Sequence, residues 1–205
     1  MRLHYFPGTI ATVVAITLEE ASLPYDTVLV DFTKSDQQGA DYLAINPKGR
    51  VPALEVDGAI LTETGAILEY LASCAPKSGL VPQDNLQAAR MRAVLFYLAS
   101  TMHVNHAHRM RGHRWANQPS SFEDMAAKVP QTMADSCAYV EGNCLKGPFV
   151  MGDNITLADP YLFVICQWLE GDGVDISRFK KLSAFCDAME RCESVKAVRA
   201  KGMLP

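Results

Sequence analysis

The sequence contains no Cys-x-x-Cys pair, although it has six cysteines. They lie at positions 74, 137, 144, 166, 186 and 192, and most fall within apolar or helical patterns. This distribution indicates buried thiols in a reducing compartment.

Long apolar runs and long basic runs are absent as well. No window reaches the length of a transmembrane helix, and the N-terminal MRLHYFPGTI has no apolar core of signal-peptide length before Pro7 and Gly8 interrupt it. No run of Lys and Arg interleaves with aromatic residues, and the formal net charge is −4. These absences argue against nucleic acid or a membrane as the main partner, and we expect a cytoplasmic protein that binds small molecules or proteins.

The composition that remains is typical of a globular protein, with 205 residues of which 49% are hydrophobic and 20% are charged. That length allows one large or two small domains. The first part of the chain predicts the order βαβαββα, from strand 2–6, helix 10–21, strand 25–32, a helix-capable segment at 37–44, strands 51–56 and 59–61, and a helix starting near 62–64. Because Asp57-Gly58 predicts a tight turn, the order favours a small mixed sheet covered by helices.

Strand patterns end at the segment PKSGLVPQD, residues 76–84, which is rich in Pro, Gly and polar residues. Beyond it, helices are predicted at 86–114, 122–145, 157–170 and 179–200, the last with a break near Cys192. We place the domain boundary in this polar segment.

Pro52 lies near the start of the strand VPALEV and has no N–H to give to a sheet. A cis bond there would leave the main chain of Val51 free to meet an extended peptide ligand. A proline that is merely tolerated on an edge strand explains the residue equally well.

The segment NITLADP predicts a helix cap. Thr156 and Asp159 have the spacing of a capping box, and Ile155 precedes them as a hydrophobic staple would. We assign Thr156 and Asp159 a structural role.

Three segments together resemble the glutathione transferase family. They are NPKGRVPAL, in which Pro52 stands where the family has a cis-proline, LTETGAILEYL and NITLADPYLF, and their order and separations are those of the family. The similarity spans the chain and is closest to bacterial beta-class members. It implies a thioredoxin-like α/β domain over residues 1–76, a linker over 77–85, and an all-α helical domain over 86–205 that contributes the electrophile pocket.

The resemblance also implies a glutathione site. Val51, preceding Pro52, would pair with the cysteinyl main chain of glutathione, while Glu63 and Thr64 at a helix start match the ammonium and carboxylate of its γ-glutamyl group.

The sequence indicates less clearly which basic residue would bind the glycyl carboxylate of glutathione. Lys34, Lys48 and Arg50 all flank the predicted sheet, and surface solvation explains each of them as well. Similarity to bacterial members favours Lys34.

The residue that would activate the thiol is the main departure from the family. A thiol with a pKa of about 8.5 must be stabilised as the thiolate, but Ile10 stands where beta-class members have a cysteine. Thr9 is the nearest hydroxyl at the start of the first helix, and Tyr5 is a weaker candidate. A role for Thr9 as a helix cap alone is equally compatible, and the missing cysteine argues against thioredoxin or glutaredoxin activity.

The segment HVNHAHRMRGHRW holds four of the five histidines. No carboxylate or cysteine accompanies them, which argues against a metal site. Beta-class members have an active-site histidine at the position of His103, so the resemblance implies a catalytic His103 on the electrophile side, with Ile10, Asn105 and His106 lining the pocket. A polar helix face without catalytic function is the alternative.

The resulting expectation is a homodimeric glutathione transferase that joins the glutathione thiolate to small apolar electrophiles, with glutathione as co-substrate and no cofactor. Ile10 keeps open a glutathione-binding or protein-interaction member with little catalysis. A glutathione-dependent peroxidase or isomerase is a further alternative.

Overall fold

The computed structural model describes residues 1–204, and the chain divides into two compact units. The first unit comprises Met1–Val81 together with the chain from Glu190 onward, and the second comprises Pro82–Met189.

A four-stranded mixed sheet forms the centre of the first unit. Its strands are β1 (Arg2–Tyr5), β2 (Asp26–Leu29), β3 (Ala53–Val56) and β4 (Ala59–Thr62), in the spatial order β2-β1-β3-β4. Strand β1 is parallel to β2 and antiparallel to β3, which is antiparallel to β4. Helices α1 (Ala11–Glu20), α2 (Ala40–Ile45) and α3 (Thr64–Cys74) complete the predicted βαβαββα order.

Local chemistry explains the strand ends. Asp57 and Gly58 adopt φ values of 49° and 81°, so the hairpin turns in the two residues between Val56 and Ala59 as predicted. Strand β2 ends at Leu29, earlier than the predicted 25–32, because the Asp31 carboxylate accepts from the Thr33 N–H at 2.9 Å and starts a 3₁₀ turn over Phe32–Lys34.

The second unit is helical. Its helices are α4 (Asn85–Tyr97), α5 (His103–Arg111), α6 (Pro119–Tyr139), α7 (Ala158–Cys166) and α8 (Lys180–Glu190). The predicted helix 86–114 contains a π-helical turn at Leu98–Met102 between α4 and α5. In the stretch 1–204, no helix combines the length and the apolar composition needed to cross a membrane.

The last helix, α9 (Glu193–Ala200), follows a break at Arg191 and Cys192, close to the predicted one. It groups with the first unit, whereas the sequence assigned residues 86–205 to one helical domain. The reason is its packing against α1, where Val195 and Val198 are fully buried and the Ser194 hydroxyl donates to Glu20.

The predicted cap at α7 centres on the buried carboxylate of Asp159. It accepts from the Val150 N–H at 2.7 Å, from the Thr156 N–H at 2.7 Å and from the Thr156 hydroxyl at 2.8 Å. The contact differs from a full capping box, because the Thr156 hydroxyl donates to the carboxylate rather than accepting from the main chain. Burial raises the pKa of Asp159 to about 6, against the opposing effect of these hydrogen bonds.

Replacing Asp159 by Ala should lower the free energy of unfolding by about 3–5 kcal/mol, because three buried donor groups lose their acceptor. Chemical denaturation at neutral pH measures the change. The matched control is Asp153→Ala, which removes an exposed carboxylate of the same segment and should cost less than about 0.5 kcal/mol. Equal effects of the two substitutions would contradict a stabilising role for the Asp159 contacts.

His4 is a buried polar residue in the sheet. Neither of its ring nitrogens has a hydrogen-bond partner among the described residues. Its Nε2 lies 3.9 Å from the Glu55 carboxylate. Burial lowers the pKa of His4, and the Glu55 charge opposes that shift only in part.

The lowered pKa of His4 predicts a loss of stability in acid. As the pH falls, the unfolded chain takes up a proton first, so the contribution of neutral His4 is complete above a pH of about 6.5 and is lost below it. His4→Leu should therefore raise the unfolding free energy by about 1 kcal/mol at pH 7 and by more at pH 5. His113→Leu, at an exposed histidine, is the control. If the gain in unfolding free energy for His4→Leu is smaller at pH 5 than at pH 7, the pKa of His4 is not lowered by folding.

Candidate functional site

The end of β1, the start of α1 and the loop before β3 meet in one apolar cluster of the first unit. Its buried members are Ala11, Val30, Tyr42 and Val51, and Tyr5, Phe6, Phe32 and Ile45 pack against them. Two residues of the predicted site, Tyr5 and Val51, thus belong to the same cluster, beside the start of the helix that follows Thr9 and Ile10.

The loop before β3 contains one residue, Val51, whose main chain has no hydrogen-bond partner in the described part of the chain. The Val51-Pro52 peptide bond is cis. The carbonyl of the preceding Arg50 accepts from the Tyr42 hydroxyl at 2.8 Å and from the Asn46 side-chain amide at 2.6 Å. By contrast, no residue within 1–204 hydrogen-bonds the main-chain N–H or C=O of Val51. These two groups can therefore pair with an extended ligand.

The start of α3 carries Glu63 and Thr64. Glu63 adopts φ 71° and ψ 115°, a region that is costly for a residue with a side chain, and the helix begins directly after it. Because Thr64 is the first helical residue, its N–H and those that follow lack intrahelical acceptors. Together with the helix dipole, they can bind a carboxylate.

Lys48 already pairs with the predicted ammonium partner. Its Nζ lies 2.5 Å from a Glu63 carboxylate oxygen and 2.8 Å from the Thr62 hydroxyl oxygen. Both charged side chains are partly exposed, so this ion pair contributes little to stability and can be exchanged for a ligand cation at small cost.

Lys34 lies on the 3₁₀ turn after β2, with 75% of its side chain exposed. Its Nζ is 3.1 Å from the Asp31 carboxylate, and this partner raises the pKa of Lys34. The neighbouring Phe32 packs against the apolar cluster, so the lysine lies at the edge of the site rather than within it.

Thr9 has its hydroxyl hydrogen already in use. The Thr9 hydroxyl donates to the Phe6 carbonyl at 2.7 Å and accepts from the Ala11 N–H at 3.4 Å. Donation from this hydroxyl to a thiolate, as predicted, would require it to leave Phe6. In contrast, the N–H of Ile10, the residue before α1, has no acceptor among residues 1–204, and the Ile10 side chain is buried.

The turn before α1 is anchored by the far end of the chain. The Met203 carbonyl accepts from the Gly8 N–H at 2.9 Å and from the Thr12 hydroxyl at 3.3 Å. Gly8 has φ 70°, which favours glycine. These contacts fix the direction in which the first N–H groups of α1 point.

In the second unit, His103 and His106 of α5 meet aromatic residues within α7 and just after it. His106 stacks on Trp168 with ring centroids 4.2 Å apart, and the His103 ring lies 5.1 Å from Trp168. Nδ1 of His103 is 3.1 Å from the Tyr161 hydroxyl oxygen. The structure therefore brings these two predicted residues together.

Asn105 does not share that environment. Its amide donates to the Ser136 hydroxyl at 3.1 Å and to the Thr132 carbonyl at 3.4 Å, linking α5 to α6. The amide is therefore used between helices, and the pocket position of Asn105 stays a prediction.

A carboxylate that sequence reasoning missed lies beside His106. Nδ1 of His106 is 2.9 Å and 2.8 Å from the two carboxylate oxygens of Asp172, and Nη1 of Arg109 is 3.8 Å from one of them. Asp172 is distant from the histidines in sequence and has no motif around it, so only the tertiary fold reveals the pair. No group of three or more His, Cys, Asp or Glu side chains suited to a metal ion occurs in residues 1–204.

The sequence analysis also did not identify Tyr42 and Asn46 as residues that hold the loop before β3. Asn46 is the first residue of the NPKGRVPAL segment. Its side-chain amide donates to the Arg50 carbonyl, four residues away. The Asn-Pro turn signal could have suggested such a local contact.

Comparison with known protein families gives matches along both parts of the chain. Residues 1–73 match the glutathione S-transferase N-terminal domain, and residues 109–202 match the glutathione S-transferase C-terminal domain.

Individual relatives agree with the domain matches. The chain is 31% identical to the glutathione S-transferase GstA of Escherichia coli O157:H7, over 99% of this chain and 100% of that protein. It is 29% identical to a maleylacetoacetate isomerase of Pseudomonas aeruginosa, over 91% of this chain and 90% of the relative. A glutathione transferase homologue from Sulfitobacter, solved with bound glutathione, is 58% identical with a TM-score of 0.98, covering 99% of this chain and 98% of that one.

Proposed function

Because the chain belongs to the glutathione S-transferase family, we propose that it joins the glutathione thiolate to small apolar electrophiles. The observation that carries the proposal is the main chain of Val51, which has no hydrogen-bond partner among the described residues. It lies in the same unit as the start of α3 at Thr64, where N–H groups without intrahelical acceptors can bind an anion. A peptide with a γ-glutamyl head offers a complementary main-chain strand and a carboxylate. The bound glutathione in the 58%-identical homologue supports this ligand.

Each part of glutathione has a proposed partner. The N–H and C=O of Val51, before Pro52, pair with the cysteinyl main chain, and Thr64 holds the γ-glutamyl carboxylate. Glu63 receives the γ-glutamyl ammonium and releases Lys48 to solvent or to another carboxylate. Lys34, which is exposed, remains the proposed cation for the glycyl carboxylate.

For the thiol, we propose that the N–H of Ile10 stabilises the thiolate and that Thr9 positions this N–H. The Thr9 hydroxyl donates to the Phe6 carbonyl, whereas the Ile10 N–H, at the positive end of α1, has no acceptor within residues 1–204. Tyr5, within the apolar cluster, is the alternative donor through its hydroxyl.

For the electrophile, we propose His103 as the catalytic residue and His106 as a pocket residue of the second unit. Ile10 of the first unit keeps its proposed role as an apolar contact for the electrophile. The described contacts of Asn105 favour a supporting position for it instead. We further propose a cytoplasmic homodimer that needs no cofactor besides its co-substrate. None of the six cysteines is in a disulfide, which is compatible with a reducing compartment.

A glutathione-dependent isomerase is the second candidate function. It is favoured by the similarity to a maleylacetoacetate isomerase over most of both chains. Assays of thiol conjugation and of glutathione-dependent double-bond isomerisation, run side by side, distinguish the two activities.

Glutathione binding should weaken when the start of α3 is altered. Thr64→Ala and Glu63→Ala should each lose about 1.5–3 kcal/mol of binding free energy in isothermal titration calorimetry, because each removes a contact to a charged group. Glu123→Ala, which removes an exposed carboxylate from α6, should bind like the parent. If Thr64→Ala and Glu63→Ala bind as tightly as Glu123→Ala, the glutathione site lies elsewhere.

The thiol titration separates the Thr9 hydroxyl from the Ile10 N–H. Thr9→Ala should shift the pKa of the bound thiol only slightly, because the lost hydroxyl donates to Phe6, while Ile10→Pro, which removes the N–H, should raise it by about one unit or more. Ile10→Ala keeps the N–H and serves as the control. Ultraviolet absorbance of the thiolate follows the titration, and a large shift for Thr9→Ala alone would assign activation to the hydroxyl.

A further inference from the structure

A cavity in the first unit is lined by strands β1 and β2 and by helix α2. Its volume is about 420 Å³, within the range of roughly 300–1,000 Å³ that small-molecule sites occupy. Its lining includes none of the residues proposed for glutathione, all of which lie in the described stretch 1–204. The lining residues that give the cavity its chemistry are His4, Leu29, Asp36, Asp41, Tyr42 and Ile45.

His4 is a buried polar residue of this lining. Only 4% of it is exposed, and neither ring nitrogen has a hydrogen-bond partner among residues 1–204. Burial lowers the pKa of His4, so the ring is mainly neutral at pH 7 and keeps one lone pair. Because Nε2 lies 3.9 Å from the Glu55 carboxylate, the proton is favoured on Nε2 and the lone pair on Nδ1. Nδ1 can therefore accept a hydrogen bond from a ligand.

Two carboxylates line the cavity as well. Asp36 already accepts from the Asp31 N–H at 3.0 Å. The carboxylate of Asp41, an exposed residue at the second position of α2, has no hydrogen-bond or ion-pair partner within residues 1–204. No lysine or arginine occurs in the lining that the described residues form, and the Tyr42 hydroxyl uses its proton on the Arg50 carbonyl at 2.8 Å. The polar side chains that remain available are thus hydrogen-bond acceptors.

Apolar side chains make up most of the remaining lining. Leu29, the last residue of β2, is 52% exposed, and the ring of Tyr42 lies 5.9 Å from that of His4. With Ile45, these side chains offer the body of an organic molecule an apolar surface beside the polar groups.

We propose that this cavity binds a small organic cation with an apolar body, of the arylalkylammonium class. The ammonium N–H groups donate to the Asp41 carboxylate and to Nδ1 of His4, and the apolar body packs on Leu29 and Ile45. An ammonium has three donors and no acceptor, which matches a lining whose available polar side chains only accept. A carboxylate or phosphate ligand would meet like charge here. The inference goes beyond the proposed transferase reaction and does not depend on it.

Isothermal titration calorimetry at pH 7 with 2-phenylethylammonium tests the proposal, and 2-phenylethanol is the matched neutral probe. The two molecules share the ring and its ethyl chain, and only the ammonium carries a charge. The parent should bind 2-phenylethylammonium about tenfold more tightly than 2-phenylethanol, because hydrogen bonds from a charged donor to a carboxylate are the stronger ones. A parent that binds neither probe, or both equally, overturns the proposal.

Variants locate the bound cation. Asp41→Asn should weaken the binding of 2-phenylethylammonium by about tenfold and leave that of 2-phenylethanol unchanged. Asp57→Asn is the control, since it removes the same charge from an exposed turn of the same unit, outside the cavity, and should bind both probes like the parent. Equal losses for Asp41→Asn and Asp57→Asn would show only a long-range charge effect and overturn the proposal. A loss with Glu63→Ala alone would also overturn it, because the cation would then lie at the proposed glutathione site.

His4→Leu isolates the second contact. It removes the acceptor, keeps the cavity wall apolar, and should weaken the binding of 2-phenylethylammonium by about fivefold. In the parent, the nitrogen resonance of His4 Nδ1 should shift when the probe saturates the protein, whereas those of the exposed His113 should not. An unchanged affinity in His4→Leu, or an unmoved Nδ1 resonance, overturns the assignment of His4 as a ligand contact. Neither measurement uses glutathione, so a failure of the proposed transferase function leaves these results valid.

Discussion

Two hydrogen bonds to the Arg50 carbonyl hold the loop on which the candidate glutathione site depends. A buried segment that leaves its own N–H and C=O groups unpaired is costly, so the neighbouring peptide group has to be fixed by other means. Tyr42 of α2 and Asn46, the residue after α2, both donate to the Arg50 carbonyl. Tyr42 also packs in the apolar cluster beside Val51. The end of α2 therefore supports the loop in two ways. Hydrogen bonds hold the Arg50 carbonyl, and apolar packing holds the side chain of Val51.

Buried carboxylates organise the second unit, and the two described here differ in what surrounds them. Asp159 faces only donors that belong to its own loop and helix start, so its charge is used entirely for local structure. Asp172 faces His106 and Arg109, whose side chains are both partly exposed. A carboxylate of the first kind stabilises a loop and a helix start, whereas one of the second kind holds a histidine side chain in place.

Much of the fold follows from local signals in the sequence. The Asp57-Gly58 turn, the apolar periodicity of the helices and the capping residues near α7 are short-range patterns, and the structure contains the corresponding elements. What the sequence could not supply is long-range. Three contacts join segments that are 66 or more residues apart, and no spacing rule encodes them: the grouping of α9 with α1, the anchoring of Gly8 by Met203, and the meeting of His106 with Asp172. For Thr9, the sequence indicated a hydroxyl at the start of the first helix, but it did not indicate that this hydroxyl donates to the Phe6 carbonyl.

The placement of α9 has a consequence for how the chain is made. The first unit is discontinuous, since the whole second unit, Pro82–Met189, is inserted between its sheet and its last helix. During synthesis the sheet and α1 leave the ribosome long before Val195, Val198 and Met203 exist. Until then the apolar face of α1 that α9 covers stays open, and the turn before α1 lacks its carbonyl anchor. The helical unit is continuous in sequence, so all of its residues are made before α9, and it can complete its core before the first unit does.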